Sequence, residues 1–434
     1  MAIAPPRSST PTSVSNSSTS YAIPLAVVTS LFFMWGFLTC LNDILVPHLK
    51  SIFDLNYTEI MLIQFAFFGA YFVFSIPSAK IIDWIGYQRS MVMGLLTMGL
   101  GAFLFVPAAI VPSYPLFLVA LIVLAAGITC LQVAANPYVT VLGKPETASS
   151  RLNLTQAFNS LGTFLAPFFG GLLILSTAPK TIEQIRALAP DALHAYRVHE
   201  AATVKLPYVG LGVALVLLAV AIGCFHLPKI PQAQHKVGEK VNDSIWKHPN
   251  LVFGAIAIFV YVGAEVAIGS FLVNYFIQPE IGGLTEKVAA SFVAFYWGGA
   301  MVGRFIGSGL LQKMKTGHLL GICAVCAAAL VTTSMLSFGH FAMWSIILVG
   351  FFNSIMFPSI FTLGVAELGP LTGDGSGILI MAIVGGALIP LAQGAIADRI
   401  GIHHAFFLPV ICYLYILFFA LSGSKPNSER HART

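Results

Sequence analysis

Five amides and two acids stand where this chain is otherwise built of hydrocarbon. Between Thr129 and Gly162 (TCLQVAANPYVTVLGKPETASSRLNLTQAFNSLG) lie Gln132, Asn136, Asn153, Gln156 and Asn159. In helical phase Gln132 and Asn136 are one turn apart, and Asn153, Gln156 and Asn159 recur every third residue, so each set is expected to share a face. The polar turn GKPETASSR between them folds the two helices into a hairpin that offers both faces to one cavity. Amides inside a bilayer are costly unless they pair with each other or with something polar passing through. An amide both donates and accepts, so a neutral solute rich in hydroxyls, such as a sugar, satisfies both of its ends.

The acids suggest a second chemistry. Of 17 acidic residues nearly all fall at the ends of apolar runs or between them. Asp43, which follows WGFLTCLN, and Glu265, in YVGAEVAIGSFLVNY, do not. An ionisable residue inside a span is by default a functional candidate, and burial disfavours the charged form of a carboxyl, as a proton carrier near neutral pH requires. Asp43 and Glu265 are therefore expected to be the proton-coupling acids, with Glu265 also bonding the solute. A structural acid hydrogen-bonded to Asn42 or to a neighbouring helix is the alternative for Asp43. Asn42, Gln64, Trp297 and Asn353 complete the expected solute-binding set, with Asn274 and Tyr275 as weaker candidates. Trp297 and Tyr296 offer aromatic faces to the apolar face of a sugar ring. The histidines lie at helix ends and in loops, and no HExxH or GxSxG stands in a span. Intramembrane enzyme chemistry has no nucleophile–base pair here, and neither a metal set nor a cofactor is expected. Cys323 and Cys326 form a CxxC inside an apolar helix without His or acid neighbours, which reads as packing.

The elements that must position these residues are membrane spans. Only 9% of 434 residues are charged and 57% are hydrophobic, against about a quarter charged in soluble domains. At roughly 20 apolar residues per span, twelve helices are expected near 22–47, 58–84, 88–109, 114–143, 150–175, 206–227, 251–276, 287–312, 317–338, 341–364, 376–399 and 402–423. Residues 1–21, rich in Ser, Thr and Pro, read as a disordered tail. The domains are then a six-helix bundle over 22–227, a linker over 228–250, a second bundle over 251–423 and a short tail over 424–434. Lysines and arginines concentrate on the side that holds both termini, which the positive-inside rule assigns to the cytoplasm. The net charge of +5 is this topology signal and not a nucleic-acid footprint. The stretch 177–205 is expected to lie on the outer face and to carry one or two short helices.

The halves are related. Pro137-Tyr-Val-Thr-Val-Leu-Gly143 matches Pro358-Ser-Ile-Phe-Thr-Leu-Gly364 at an offset of 221, and Gly162, Pro167 and Gly171 recur as Gly385, Pro390 and Gly394 at an offset of 223. Parallel repeats of six helices, with a substrate held midway between them, are implied. Asp83-Trp-Ile-Gly-Tyr-Gln-Arg89 after the second helix and Gly303-Arg304, followed by Gln312-Lys-Met-Lys315, at the equivalent place after the eighth read as gating loops, with Asp83, Arg89 and Arg304 as their charges.

FFMWGFLTCLNDILVPHLK, LIQFAFFGAYF, LQVAANPYVTVLGKPETASSRLNLTQAFNSLGT and FPSIFTLGVAELG together resemble the fucose–galactose–glucose proton symporters of the major facilitator superfamily. The resemblance spans all twelve helices. It implies an all-α membrane protein, two pseudo-symmetric bundles, and an alternating-access monosaccharide carrier driven by protons and working as a monomer in a bacterial inner membrane. The family's first-helix acid falls on Asp43 and its fifth-helix amides on Gln156 and Asn159. Gln132 stands where the fucose symporter has a fourth-helix glutamate, Phe357 where it has a tyrosine, and Glu265 where it looks to have glutamine. GAEVAIGSFLVNY and PHLKxxFxLNY are similar to the glucose/galactose branch, so D-glucose and D-galactose are the implied sugars. L-fucose, another sugar, or sodium coupling remain the alternatives.

Overall fold

The computed structural model describes residues 21–53, 57–110, 113–173, 188–203, 205–228 and 244–426. The expected tails and most of the 228–250 linker lie outside them. The described elements are α-helices with a few short 3-10 and π turns and no strands. In lipid this is forced, because a spanning helix satisfies its own backbone.

In the first half run α1 (Ala22–Phe53), α2 (Tyr57–Ile110), α3 (Tyr114–Val141), α4 (Ala148–Leu173), α5 (Pro190–Thr203) and α6 (Lys205–Cys224). The second half holds α7 (Pro249–Ile277), α8 (Glu286–Leu310), α9 (Thr316–Leu336), α10 (Gly339–Asn353), α11 (Met356–Gly364), α12 (Thr372–Met381), α13 (Gly385–Ile400), α14 (Ile402–Ala405) and α15 (Phe407–Phe418). At 54 residues α2 would be about 80 Å long, against a bilayer core of about 30 Å. Gly86, at φ 80° and ψ 168°, breaks it into two passes. The pairs α10–α11, α12–α13 and α14–α15 are each one pass interrupted by a short irregular turn. Twelve passes result, where the sequence predicts them. The stretch DALHAYRVHE forms the non-spanning α5, as expected; residues 181–187 before it lie outside the described set.

Large apolar side chains face outward, Leu206 and Leu336 being about four-fifths exposed, which only lipid would tolerate. Inside, backbones touch through glycine. A Cβ on Gly127 of α3 would stand 2.4 Å from Met98 N and 2.7 Å from Gly94 O on the second leg of α2. Small residues permit this approach, and dispersion rather than a hydrophobic drive holds such helices together.

The repeat appears as matched contacts. A Cβ on Gly162 of α4 would lie 2.3 Å from Phe33 O of α1, and one on Gly385 of α13 would lie 2.0 Å from Phe259 O of α7. Phe33 and Phe259 are 226 positions apart, close to the 223 that separates the glycines. Pro167 and Gly171, the remaining parts of that match, lie outside the described side chains.

The polar turn before α4 is fixed by Arg151. Its guanidinium donates to Val139 O (3.3 Å) and Thr140 O (2.9 Å) at the end of α3, and to Lys144 O (2.7 Å) in the turn. The first two are carbonyls that a helix end leaves unpaired. Arg151→Met, which keeps the aliphatic stem, is expected to cost about 1–3 kcal/mol, read as a lower midpoint in thermal unfolding of the purified protein. An unchanged midpoint would mean the turn holds without its cap.

Candidate functional site

Three of the five amides come together. Gln132 of α3 is 2% exposed, and its Nε2 donates to the Tyr71 hydroxyl on the first leg of α2 at 2.7 Å. Gln156 Nε2 of α4 reaches Asn136 Oδ1 of α3 at 3.4 Å. Gln132 Oε1 and Asn136 Nδ2 have no partner among the described residues. A buried acceptor and a buried donor left unpaired are what a hydroxyl-rich solute or ordered water would satisfy.

The other two amides depart from the expected shared face. Asn153 Nδ2 donates across to Arg304 O of α8 at 2.7 Å, and Asn159 Nδ2 donates to Phe32 O of α1 at 2.9 Å. Each three-residue step turns a helix about 60° short of a full circle, so Asn153 and Asn159 diverge by about 120°. Gln156 keeps the central direction. The hairpin is real, but only its middle amide joins Gln132 and Asn136.

In the second half Glu265 lies on α7 with the Tyr261 hydroxyl 2.8 Å from its Oε1. That hydroxyl is also 3.0 Å from Asn353 O, and Asn353 Nδ2 donates to Tyr296 OH at 2.9 Å. Trp297 is 41% exposed, and its ring edge lies 3.0 Å from where a Cβ on Gly269 would be, one turn along α7 from Glu265.

Arg304 corrects the sequence reading. It lies not in a gating loop but six residues inside the end of α8, with its side chain 13% exposed. Its Nη2 is 4.0 Å from Glu265 Oε1, its Nε donates to Ser354 O at 3.1 Å, and its Nη1 contacts Ser160 Oγ of α4. Ser160 is one turn from Gln156, so a polar line runs from Tyr71 and Gln132 through Gln156, Ser160 and Arg304 to Glu265 and Tyr261. The spacing of Tyr261 four residues before Glu265 was a signal available in the sequence; the reach of Arg304 was not. Asp83 and Arg89 are likewise helical, flanking the break at Gly86 on the two legs of α2. Asn42 and Asp43 fall on α1 and Gln64 on α2; their side chains lie outside the described residues. By the Phe33–Phe259 offset, Glu265 corresponds to Thr39 and Asp43 to Gly269. The two acids are therefore one turn apart under the repeat, rather than at equivalent positions.

The halves are joined at one end. Lys80 Nζ meets Asp374 Oδ1 at 2.7 Å, and Ser149 meets Thr362 at 2.6 Å and Thr316 at 2.9 Å. Ser150 Oγ donates to Ser308 O at 2.7 Å. One further contact between the halves and one within the second half fill gaps made by proline, which has no N–H for the carbonyl four residues earlier. Pro137 leaves Val133 O, which accepts from Ser376 Oγ of α12 at 2.9 Å; Pro358 leaves Ser354 O, which accepts from Arg304. These hydrogen bonds between the halves lie on this side or in the polar line, so the halves are held together at the end assigned above to the cytoplasm.

Comparison with known proteins gives the same architecture. Residues 25–383 match the model of the Major Facilitator Superfamily. The chain is 53% identical over 410 residues to a glucose/galactose transporter of Brucella abortus, covering 94% of this chain and 96% of that one. It is 46% identical to a putative glucose/galactose transporter of Helicobacter pylori, covering 95% and 99%. The crystal structure of a variant of the Escherichia coli fucose:proton symporter superposes with a TM-score of 0.87 at 35% identity, covering 94% of this chain and all of that one. With twelve passes, glycine contacts repeated between two halves, and a polar line buried where those halves meet, this chain belongs to the major facilitator superfamily.

Proposed function

We propose that this protein is a proton-coupled monosaccharide symporter that imports D-glucose, D-galactose or both by alternating access. The observation that carries this reading is the polar line between the halves, with Gln132 Oε1 and Asn136 Nδ2 unpaired within it. A membrane protein keeps such groups at a cost, and a hexose hydroxyl, which donates and accepts, repays it. Gln132, Asn136, Gln156 and Glu265 hold the sugar, with Asn159, Asn353 and Trp297 at its edges and Asn42 and Gln64 supplied from α1 and α2. Asp43 carries the proton. The sugars are those in the names of the Brucella and Helicobacter relatives, and the proton is that of the Escherichia coli symporter. The protein works as a monomer in a bacterial inner membrane, termini inside.

Closure at the Lys80–Asp374 end bars passage of the sugar on the side this reading makes cytoplasmic. The empty deprotonated carrier and the loaded protonated carrier cross between states more readily than the mixed forms, and that difference is the coupling.

Proteoliposome uptake of labelled glucose, galactose and fucose tests this. With acid outside, glucose or galactose is expected to accumulate above equilibrium. Accumulation under a sodium gradient instead would replace the coupling ion, preferential accumulation of fucose would replace the sugar, and no movement of any hexose would remove the substrate class. Gln132→Leu is expected to raise the half-saturating sugar concentration by about tenfold, since it removes one ligand and one of the hydrogen bonds to the Tyr71 hydroxyl. A variant with wild-type saturation would take Gln132 out of the site.

A further inference from the structure

Arg304 touches both halves at once. Its guanidinium contacts Ser160 of α4, its Nε is spent on Ser354 O, and its own carbonyl is held by Asn153 of α4. The carboxylate beside it, Glu265, is 4.0 Å away. A close guanidinium–carboxylate pair sits at about 2.7–2.9 Å, so Glu265 is only loosely engaged here and keeps its other hydrogen bond, from Tyr261, at 2.8 Å.

We propose that Arg304 is a positioning residue that reports to Glu265 whether the halves are joined at this end. While they are joined, Ser160 and Asn153 draw Arg304 toward the first half, and Glu265 is free to bond a sugar hydroxyl. When the halves part there, both α4 partners leave together. A buried guanidinium without them turns to the nearest carboxylate, because an unpaired buried cation is far costlier than a paired one. Arg304 then closes on Glu265, withdraws it from the sugar, and lowers affinity on the side where the sugar must be released. Ser160 is the switch contact, since it is the first-half group on the guanidinium itself. The inference rests on Glu265 being a sugar ligand, as proposed above, but the movement of Arg304 can be tested without sugar.

Equilibrium binding of D-glucose to the purified full-length protein is measured for wild type, Ser160→Ala, Glu265→Gln and the double variant. Ser160→Ala is expected to weaken binding by about tenfold, the loss of one charge-assisted hydrogen bond. Glu265→Gln weakens it comparably, and the double variant is expected to be no weaker than Glu265→Gln alone, because both changes remove the same contact. Additive losses, or wild-type binding by Ser160→Ala, would overturn the inference. In parallel, modification of Glu265 by a hydrophobic carbodiimide is followed by peptide mass spectrometry without sugar. Ser160→Ala is expected to slow it several-fold, as Arg304 closes on the carboxylate; an unchanged rate overturns the inference by itself. If wild type binds no hexose while Ser160→Ala still protects Glu265, the proposed substrate fails and the Arg304 switch stands.

Discussion

Gly385→Ala is expected to leave little folded protein. Its Cβ would stand 2.0 Å from Phe259 O, 2.7 Å from Phe259 C and 3.0 Å from Phe259 Cα, all backbone atoms that cannot rotate away. Overpacking a core costs about 1–3 kcal/mol when side chains can give; here two helices must separate. Gly162→Ala meets Phe33 O at 2.3 Å and Phe37 N at 2.8 Å and is expected to fail in the same way. Gly298→Ala is the control, since no atom lies within 4 Å of its added methyl. The measurement is the yield of monodisperse protein from the membrane and its thermal midpoint. If Gly385→Ala matched Gly298→Ala in both, the close approach of α7 and α13 would not hold the second half together.

The second large effect belongs to Asp43. Asp43→Asn is expected to abolish accumulation of sugar against its gradient while counterflow exchange continues. Asparagine keeps the shape and a hydrogen-bonding amide but cannot bind and release a proton. The loaded carrier can still cross, whereas crossing of the empty carrier no longer depends on proton release. Accumulation ratio and exchange rate are read in the same proteoliposomes. Sugar accumulating normally in the variant would move the coupling site elsewhere, and Glu265 would be examined next. Loss of both accumulation and exchange would make Asp43 a residue of folding or sugar binding instead.

Much of this was legible in the chain itself. Hydropathy alone located twelve passes, because a bilayer of about 30 Å demands apolar runs of a set length and forbids unpaired backbone. The repeat was legible too, since Pro137 and Pro358, or Gly162 and Gly385, must be proline or glycine wherever a backbone carbonyl is freed or two backbones meet. Amides and acids among hydrocarbons marked the polar site for the same reason of cost. These are one-dimensional constraints, each acting on a residue through its immediate surroundings.

What only the tertiary structure decided was which groups meet. Asn153 and Asn159 look equivalent to Gln156 in spacing, yet one crosses to Arg304 O and the other binds Phe32 O. Their destinations depend on the rotation of α4 between its neighbours, and a 60° step per three residues is enough to separate them. Arg304 reads as a gating-loop charge because positive residues collect at helix ends, although the expected span 287–312 contains it; its partners Ser160 and Glu265 became visible only in the fold. The carbonyl freed by Pro137 is a fact of sequence, whereas its capping by Ser376, 243 residues away, is a fact of packing. Composition and spacing determined that polar groups are buried between two halves; the docking of those halves determined their partners, because contacts between distant segments are set by helix rotation and register that no local pattern encodes.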